Sequence, residues 1–213
     1  MQYPILAFNK NKRRAKRKYL IPVFGRPGVG KTTLIYSIIK KEPEGKALYG
    51  SNDENMKIYE NENVISNLSF IEINEPTINC FNTNLEIIID KICSIIKKQF
   101  NTNEPENYAD CIWYCISGNR FETYELNFIT LLMNKFKEIP FVLVYTLALD
   151  IKLTNSYKEY FKERYNNIDF ISVLDKSVEL SYGGGFLKPH GIDILLKETI
   201  KKCENRRKNE KNH

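Results

Sequence analysis

Short apolar runs alternate with amphipathic stretches along most of the chain. Five mostly apolar runs have the length of buried strands: 19–24, 68–73, 111–116, 141–147 and 169–174. Five other segments carry apolar residues at helical spacing and predict helices: 32–41, 83–100, 121–137, 156–166 and 192–203. Strands that alternate with helices predict an α/β fold, with a central, mostly parallel sheet and helices on both faces.

Three features interrupt or bound this pattern. Residues 44–66 are polar without a clear period, and they predict an exposed, mobile segment. Ser156 and Glu159 have the spacing of a capping box, which predicts that the fourth helix begins there. The three glycines at 183–185 predict a flexible loop.

Composition narrows the class of protein. Apolar residues make up 42% of the 213 residues and charged residues 27%, which is typical of one globular domain and excludes disorder as the main state. No apolar run reaches the about 18 residues that span a bilayer. Five irregularly spaced cysteines and two histidines favour buried, reduced thiols over a zinc site, a disulfide framework or a Ser-His-Asp hydrolase.

Positive charge is concentrated in the two tails. Residues 1–18 carry a net charge of +7 and residues 201–213 carry +4, whereas residues 19–200 carry −5. We therefore divide the chain into a basic, disordered leader at 1–18, one domain at 19–202 and a basic tail at 203–213.

The basic leader sets the expected partners and location. The run from Lys10 to Lys18 suits RNA, a ribosome, an anionic membrane or a nuclear import receptor, and it equally suits a solvated leader that binds nothing. We expect a cytoplasmic protein, with the nucleus and the membrane surface as alternatives.

One motif carries specific chemistry. Residues 25–32, GRPGVGKT, fit G-x-x-x-x-G-K-[ST] at every fixed position, and they lie between a predicted strand and a predicted helix. Glycines let backbone N–H groups curl around a phosphate, and the helix that follows directs its positive end at the same anion. Lys31 would neutralise the β- and γ-phosphates, and the Thr32 hydroxyl would bind Mg²⁺. The predicted nucleotide contacts here are Gly25, Pro27, Gly28, Val29, Gly30, Lys31, Thr32 and Thr33.

This loop resembles the phosphate loop of GTPases of the Era/EngA type, in the translation-factor class. Segments 110–116, 120–122, 139–146 and 191–193 resemble further parts of eukaryotic GTPase domains in that superclass. The resemblance covers about residues 19–202. It implies a three-layer P-loop fold, the Ras-like G domain, that binds GTP or GDP with Mg²⁺.

The switch regions depart from the pattern of this family. Such GTPases carry an Asp-x-x-Gly whose Asp holds Mg²⁺ through water; here Glu72 or Asn74 stands at the Asp position, and neither has a Gly three residues later. We prefer Glu72 as the metal-holding residue beside Thr32 because it keeps a carboxylate, the alternative being an ordinary strand-edge acid. Between Thr33 and Thr77 there is no threonine for the first switch, and Ser51 is the substitute candidate.

The base-reading segments are also altered. The guanine motif of these GTPases is [NT]-K-x-D; Thr146 matches its first position, the Lys is absent, and Asp150 is one residue late. Asp150 is therefore either a guanine reader or a cap for the next segment. Lys176 stands at the last base-contacting turn. Arg120 is a candidate for charge stabilisation, the alternative being an ion pair with a nearby acid.

The resemblance and its departures imply a GTP-binding protein with slow or partner-dependent hydrolysis, acting as a switch or an assembly factor. Two alternatives remain open at this stage. One is an ATP-dependent P-loop kinase, whose lid would need basic residues that this chain carries only in its tails. The other is a degenerate G-domain interaction module without hydrolysis.

Overall fold

The computed structural model describes residues 18–39, 56–60, 68–73, 108–118, 123–165, 168–179 and 185–210, with seven helical positions between 86 and 97. Several sequence predictions lie outside these residues: the leader up to residue 17, Ser51, Asn74, Arg120, and the glycines at 183 and 184. No helix within the described ranges has the length and apolarity to cross a bilayer.

The described ranges form eight strands and four continuous helices. The strands are β1 Tyr19–Phe24, β2 Met56–Glu60, β3 Leu68–Ile73, β4 Ile112–Ile116, β5 Phe141–Tyr145, β6 Asp169–Ser172, β7 Val178–Glu179 and β8 Phe186–Leu187. The helices are α1 Lys31–Ile39, α2 Thr123–Lys135, α3 Ile151–Arg164 and α4 Ile192–Asn209.

The central sheet has six strands in the order β2-β3-β1-β4-β5-β6. Strands β3, β1, β4, β5 and β6 are mutually parallel, and β2 pairs antiparallel with β3 at one edge. A separate antiparallel hairpin joins β7 to β8. The predicted α/β class with a mostly parallel sheet is confirmed.

Helices cover both faces of this sheet. On one face, Leu34 of α1 and Leu195 of α4 lie in a buried cluster with Trp113 of β4. On the other face, Phe128 of α2 and Phe161 of α3 pack in a cluster with sheet residues and with buried positions of the 86–97 segment. The arrangement is the predicted three-layer one, because parallel strands buried on both sides need a helix layer on each.

Strand β2 corrects the prediction for residues 44–66. Part of that segment, Met56–Glu60, is a sheet strand rather than an exposed, mobile stretch. Tyr59 lies on the same face of this strand as Lys57, because side chains two residues apart point to one side of a sheet. Tyr59 is nevertheless 5% exposed.

Two predicted helix bounds are also wrong. Helix α3 begins at Ile151 rather than 156, because the Asp150 side chain accepts hydrogen bonds from the Lys152 and Leu153 amides and caps it. Helix α4 continues to Asn209, through most of the segment assigned to a basic tail.

The extension of α4 is anchored at the amino-terminal edge of the sheet. Arg207 makes two bonds to the fully buried Asp110 carboxylate, Nε to Oδ1 at 2.7 Å and Nη2 to Oδ2 at 2.9 Å. Its guanidinium also stacks 4.0 Å from the Tyr19 ring centroid. Arg206 donates to the Ala109 carbonyl at 2.7 Å. Burial opposes the Arg207 charge, but Asp110 outweighs it and raises the pKa of Arg207.

Candidate functional site

The loops that follow β1, β4, β5 and β6 lie at the same end of the sheet, where the carboxyl ends of these parallel strands meet. The phosphate loop follows β1, which pairs with β3 on one side and with β4 on the other. This is the point where the strand order reverses, and open α/β sheets bind ligands at such a crevice.

Glycine is required in the phosphate loop for two distinct reasons. Gly28 and Gly30 have φ of +82° and +87°, in the left-handed region that favours glycine. Gly25 has φ of +137°, and a Cβ there would lie 2.3 Å from the Cys115 carbonyl oxygen of β4. The loop thus depends on close backbone approach as well as on backbone conformation.

Lys31 begins α1 and is held over its own loop. It is 3% exposed, and its Nζ donates to the carbonyl oxygens of Gly25 at 2.6 Å and of Arg26 at 2.9 Å. Helix α1 starts directly from the loop, with the Leu34 amide bonded to the Gly30 carbonyl. The geometry therefore brings a buried ammonium group and a helix N-terminus to one loop, which is the arrangement that binds phosphate.

Thr146 supports the loop from the next strand end. Its hydroxyl donates to the Val29 carbonyl and lies 3.0 Å from the Ile116 carbonyl oxygen. Its side chain also lies within 4 Å of the position that a Cβ on Gly30 would take. The structure thus joins Thr146, predicted from the base-reading motif, to the phosphate loop itself.

The two predicted metal-holding residues are in contact. Thr32 Oγ1 donates to Glu72 Oε1 at 2.5 Å, and Glu72 is 2% exposed near the carboxyl end of β3. Lys57 stands opposite Glu72 in the strand register, yet Glu72 forms no ion pair among the described residues. A buried carboxylate held by neutral donors is costly, and a divalent cation would offset that cost.

The oxygen atoms of Thr32 and Glu72 fit Mg²⁺ better than a metal ion whose ligands all come from the protein. Hydroxyl and carboxylate oxygens are the hard ligands that Mg²⁺ takes, usually one or two from the protein with phosphates and waters completing the shell. Within the described residues there is no cluster of three or more His, Cys, Asp or Glu side chains that could hold an ion alone.

The remaining predicted contacts lie on the exposed surface of the same edge. Pro27, Gly28 and Thr33 are exposed in or just after the phosphate loop. Asp150 is exposed, and its Oδ1 takes both cap bonds of α3. Lys176 is exposed after β6, two residues beyond the backbone pairing of Leu174 with His190.

Sequence reasoning missed two contacts in this region. Arg26, to which no chemistry was assigned, pairs with the fully buried Glu125 of α2 at 2.9 Å. Burial opposes the Arg26 charge, but Glu125 and the neighbouring Tyr124 together outweigh burial and raise the pKa of Arg26. Tyr59 donates to Glu72 Oε2 at 2.6 Å. No local signal marks Tyr59 or Glu125, because Tyr59 shares a strand face with the polar Lys57.

Three solved structures align with most of the chain at low identity. Translation elongation factor SelB of Methanococcus maripaludis, in complex with a GTP analogue, has a TM-score of 0.53 and 14% identity, covering 89% of this chain and 34% of SelB. The Plasmodium falciparum protein assigned as nucleolar GTP-binding protein 1 has a TM-score of 0.52 and 14% identity, and the alignment covers 92% of this chain and 91% of that protein. Aquifex aeolicus Era, bound to GDP and AlF₄⁻, has a TM-score of 0.51 and 16% identity, and the alignment covers 86% of this chain and 56% of Era. No protein-family profile and no curated protein sequence matches.

At 14–16% identity, these likenesses carry the fold and nothing further. They agree with the mostly parallel sheet, the helices on both of its faces, and the phosphate loop between β1 and α1. The fold implied by the resemblance in the sequence is therefore confirmed. The chain has the Ras-like fold of P-loop GTPase domains.

Proposed function

We propose that the chain binds GTP and GDP with Mg²⁺, hydrolyses GTP slowly or only with a partner, and acts as a switch or an assembly factor. The observation that carries this proposal is the contact between Thr32 and the buried Glu72 beside an intact phosphate loop. The SelB and Era neighbours were solved with a GTP analogue and with GDP, which favours a guanine nucleotide.

Each part of the loop has a role in this proposal. The left-handed glycines turn the loop so that its amides surround the phosphates, and the α1 dipole favours the same anion. Lys31 exchanges carbonyl contacts for phosphate oxygens. Thr32 and Glu72 hold Mg²⁺, which when bound neutralises charge on the β- and γ-phosphates. Thr146 keeps the loop in register with β5.

Guanine preference rests on carboxylates at the far end of the site. Asp150 is one candidate, since its two cap bonds use Oδ1 alone. Asp175 is a second candidate: its Oδ2 is buried without a hydrogen-bond partner within the described residues, and it lies beside Lys176. A carboxylate oxygen at either place would accept the N–H groups of guanine, which adenine lacks at those positions.

Slow hydrolysis is the expected consequence of the altered switches. Phosphoryl transfer depends on positioning and charge stabilisation, with little covalent chemistry from the protein. The chain lacks a threonine between Thr33 and Thr77, and it lacks a glycine three residues after Glu72. A partner that supplies these groups would raise the rate.

An anionic partner such as RNA, a ribosome or a membrane surface belongs to the same proposal. It would bind the basic leader, whose lysines and arginines run from Lys10 to Lys18, rather than the end of α4. There, Arg206 and Arg207 point into the domain and bond to Ala109 and Asp110. We also expect a cytoplasmic protein.

The test is a titration with fluorescent GTP and fluorescent ATP in Mg²⁺. Wild-type protein should bind GTP more tightly than ATP, and Lys31→Ala should weaken GTP binding at least about 100-fold because a buried charge that faces the phosphates is lost. Lys197→Ala, an exposed lysine of α4, is the matched control. Unchanged affinity in Lys31→Ala would overturn the phosphate-loop assignment.

A further inference from the structure

Tyr59 ties the candidate metal carboxylate to the edge strand β2. Its hydroxyl donates to Glu72 Oε2 at 2.6 Å, while Thr32 donates to Oε1 of the same carboxylate at 2.5 Å. Each carboxylate oxygen therefore has its own neutral donor, one from the phosphate-binding helix and one from β2.

The contact is diagonal across the β2–β3 pair. Tyr59 stands opposite Phe70, and Glu72 stands opposite Lys57, so the Tyr59 side chain reaches two positions along the neighbouring strand. Long aromatic side chains span this separation on one face of an antiparallel pair. The Tyr59 ring also packs edge-on against Tyr36 of α1, with centroids 5.5 Å apart.

The environment keeps the Tyr59 hydroxyl a hydrogen-bond donor. Burial, the bond to Glu72 and the neighbouring Tyr36 all raise the pKa of Tyr59 above its ordinary value. In the 2.6 Å bond the phenol is the donor and the carboxylate is the acceptor. The bond is of the charge-assisted kind, which is stronger than one between neutral groups.

A glutamate at this position needs such a restraint. GTPases of the Era/EngA type, which the sequence resembles, carry an aspartate here, and glutamate has one more methylene and one more rotatable bond. A longer carboxylate samples more rotamers unless both of its oxygens are held, and ordering a side chain on ligand binding costs free energy. Tyr59 and Thr32 together leave Glu72 one arrangement.

We propose that Tyr59 is a positioning residue for Glu72: its hydroxyl fixes Oε2 so that Oε1 stays beside Thr32, and it thereby sets the affinity of the site for a divalent cation. The inference rests on the proposed function, since it takes the cation to be held by Thr32 and Glu72.

The test compares Tyr59→Phe with wild type in two titrations of the full chain. The first measures the Mg²⁺ concentration that gives half of the Mg²⁺-dependent rise in fluorescent-GTP affinity; the second measures affinity in excess EDTA. We expect the half-point to rise about tenfold in Tyr59→Phe, the size expected for one hydrogen bond to a charged group. The GTP affinity in EDTA should stay within about twofold of wild type. A general loss of packing would instead lower the GTP affinity both with Mg²⁺ and in EDTA.

The control variant is Tyr165→Phe, which loses a hydroxyl bonded at 3.1 Å to the Leu126 carbonyl, away from the site. It should leave the Mg²⁺ half-point unchanged. Glu72→Asp provides a second comparison, because any loss of folding caused by Tyr59→Phe should appear equally in both backgrounds. The shorter aspartate retracts from Tyr59, so adding Tyr59→Phe to Glu72→Asp should change the half-point less than about twofold.

The outcomes separate the two claims. Wild-type binding that does not respond to Mg²⁺ would overturn the proposed cation site and the role of Tyr59 with it. A Mg²⁺ response that is identical in wild type and Tyr59→Phe would overturn the positioning role alone. A Tyr59→Phe effect of equal size in wild type and in the Glu72→Asp variant would also overturn it, because Tyr59 would then act independently of the carboxylate length.

Discussion

Two buried carboxylates, one near the amino ends of the parallel strands and one near their carboxyl ends, are held in different ways. At the amino-terminal edge, Asp110 is neutralised by two bonds from Arg207 and also accepts the Leu20 amide at 2.8 Å. At the carboxyl-terminal edge, Glu72 accepts two neutral hydroxyls and makes no ion pair among the described residues. Both are almost fully excluded from solvent.

From this difference we expect Asp110 to stabilise the fold and Glu72 to bind a cation. A buried carboxylate whose charge is balanced inside the protein is complete, and breaking the pair mainly costs stability. A buried carboxylate with only neutral donors lacks a counter-ion at contact distance, and an external cation would supply one. We therefore expect changes at Asp110 to alter unfolding and changes at Glu72 to alter Mg²⁺ binding.

The largest expected effect breaks the amino-terminal pair. Arg207→Ala would leave Asp110 buried without its counter-ion and should lower the free energy of unfolding by about 3 kcal/mol, at the lower end for broken buried pairs because Arg207 is partly exposed. Urea denaturation measures this loss. The neighbouring exposed Lys208→Ala is the control and should change it little. A Mg²⁺ half-point that moves with Arg207→Ala would mean the two edges are not independent.

The next effect belongs to the carboxyl-terminal edge. Gly25→Ala would place a Cβ 2.3 Å from the Cys115 carbonyl oxygen at a φ that alanine rarely adopts, so the phosphate loop must shift. We expect GTP affinity to fall at least about 100-fold, with a stability loss of about 1–3 kcal/mol. Gly28→Ala is the control for backbone conformation alone, since open space surrounds its Cβ position. Equal effects of the two variants would argue against the close contact with β4.

The smallest effect separates capping from base reading at Asp150. Asp150→Ala removes the α3 cap and should cost about 1 kcal/mol of unfolding free energy, whereas Asp150→Asn keeps a capping oxygen and should cost only a few tenths. If Asp150 also reads the base, Asp150→Asn should reduce the preference for GTP over ATP while leaving stability nearly intact. Asp175→Asn is the matched comparison. A preference lost only in Asp175→Asn would move the base reading to that residue.

The sequence predicted the sheet core well because buried parallel strands are locally distinctive. The bounds of β1 and β3 match the apolar runs at 19–24 and 68–73, since every residue of those runs except Tyr19, which is partly exposed, is buried. The phosphate loop was equally clear, because its chemistry lies in consecutive residues. Strand β2 was missed because it is a five-residue edge strand inside a polar segment without a clear period.

Contacts between distant segments could not be predicted in the same way. From the sequence, Arg206 and Arg207 belong to a basic tail. In the structure α4 continues past residue 203, and the Arg206 side chain reaches the Ala109 carbonyl inside the domain. The Ser156 and Glu159 spacing suggested a helix start that the Asp150 cap sets five residues earlier. The bond between Tyr59 and Glu72 depends on strand register, which no local motif encodes.

The most direct test of the cation site is a Mg²⁺ titration of GTP binding by wild type, Glu72→Gln and Asp110→Asn. We predict that Mg²⁺ strengthens GTP binding at least about tenfold in wild type and in folded Asp110→Asn. In Glu72→Gln, which keeps the shape but loses the charge, the Mg²⁺ effect should disappear while urea stability stays close to wild type. A Mg²⁺ effect that survives in Glu72→Gln would contradict the assignment of Glu72 as the cation-holding carboxylate.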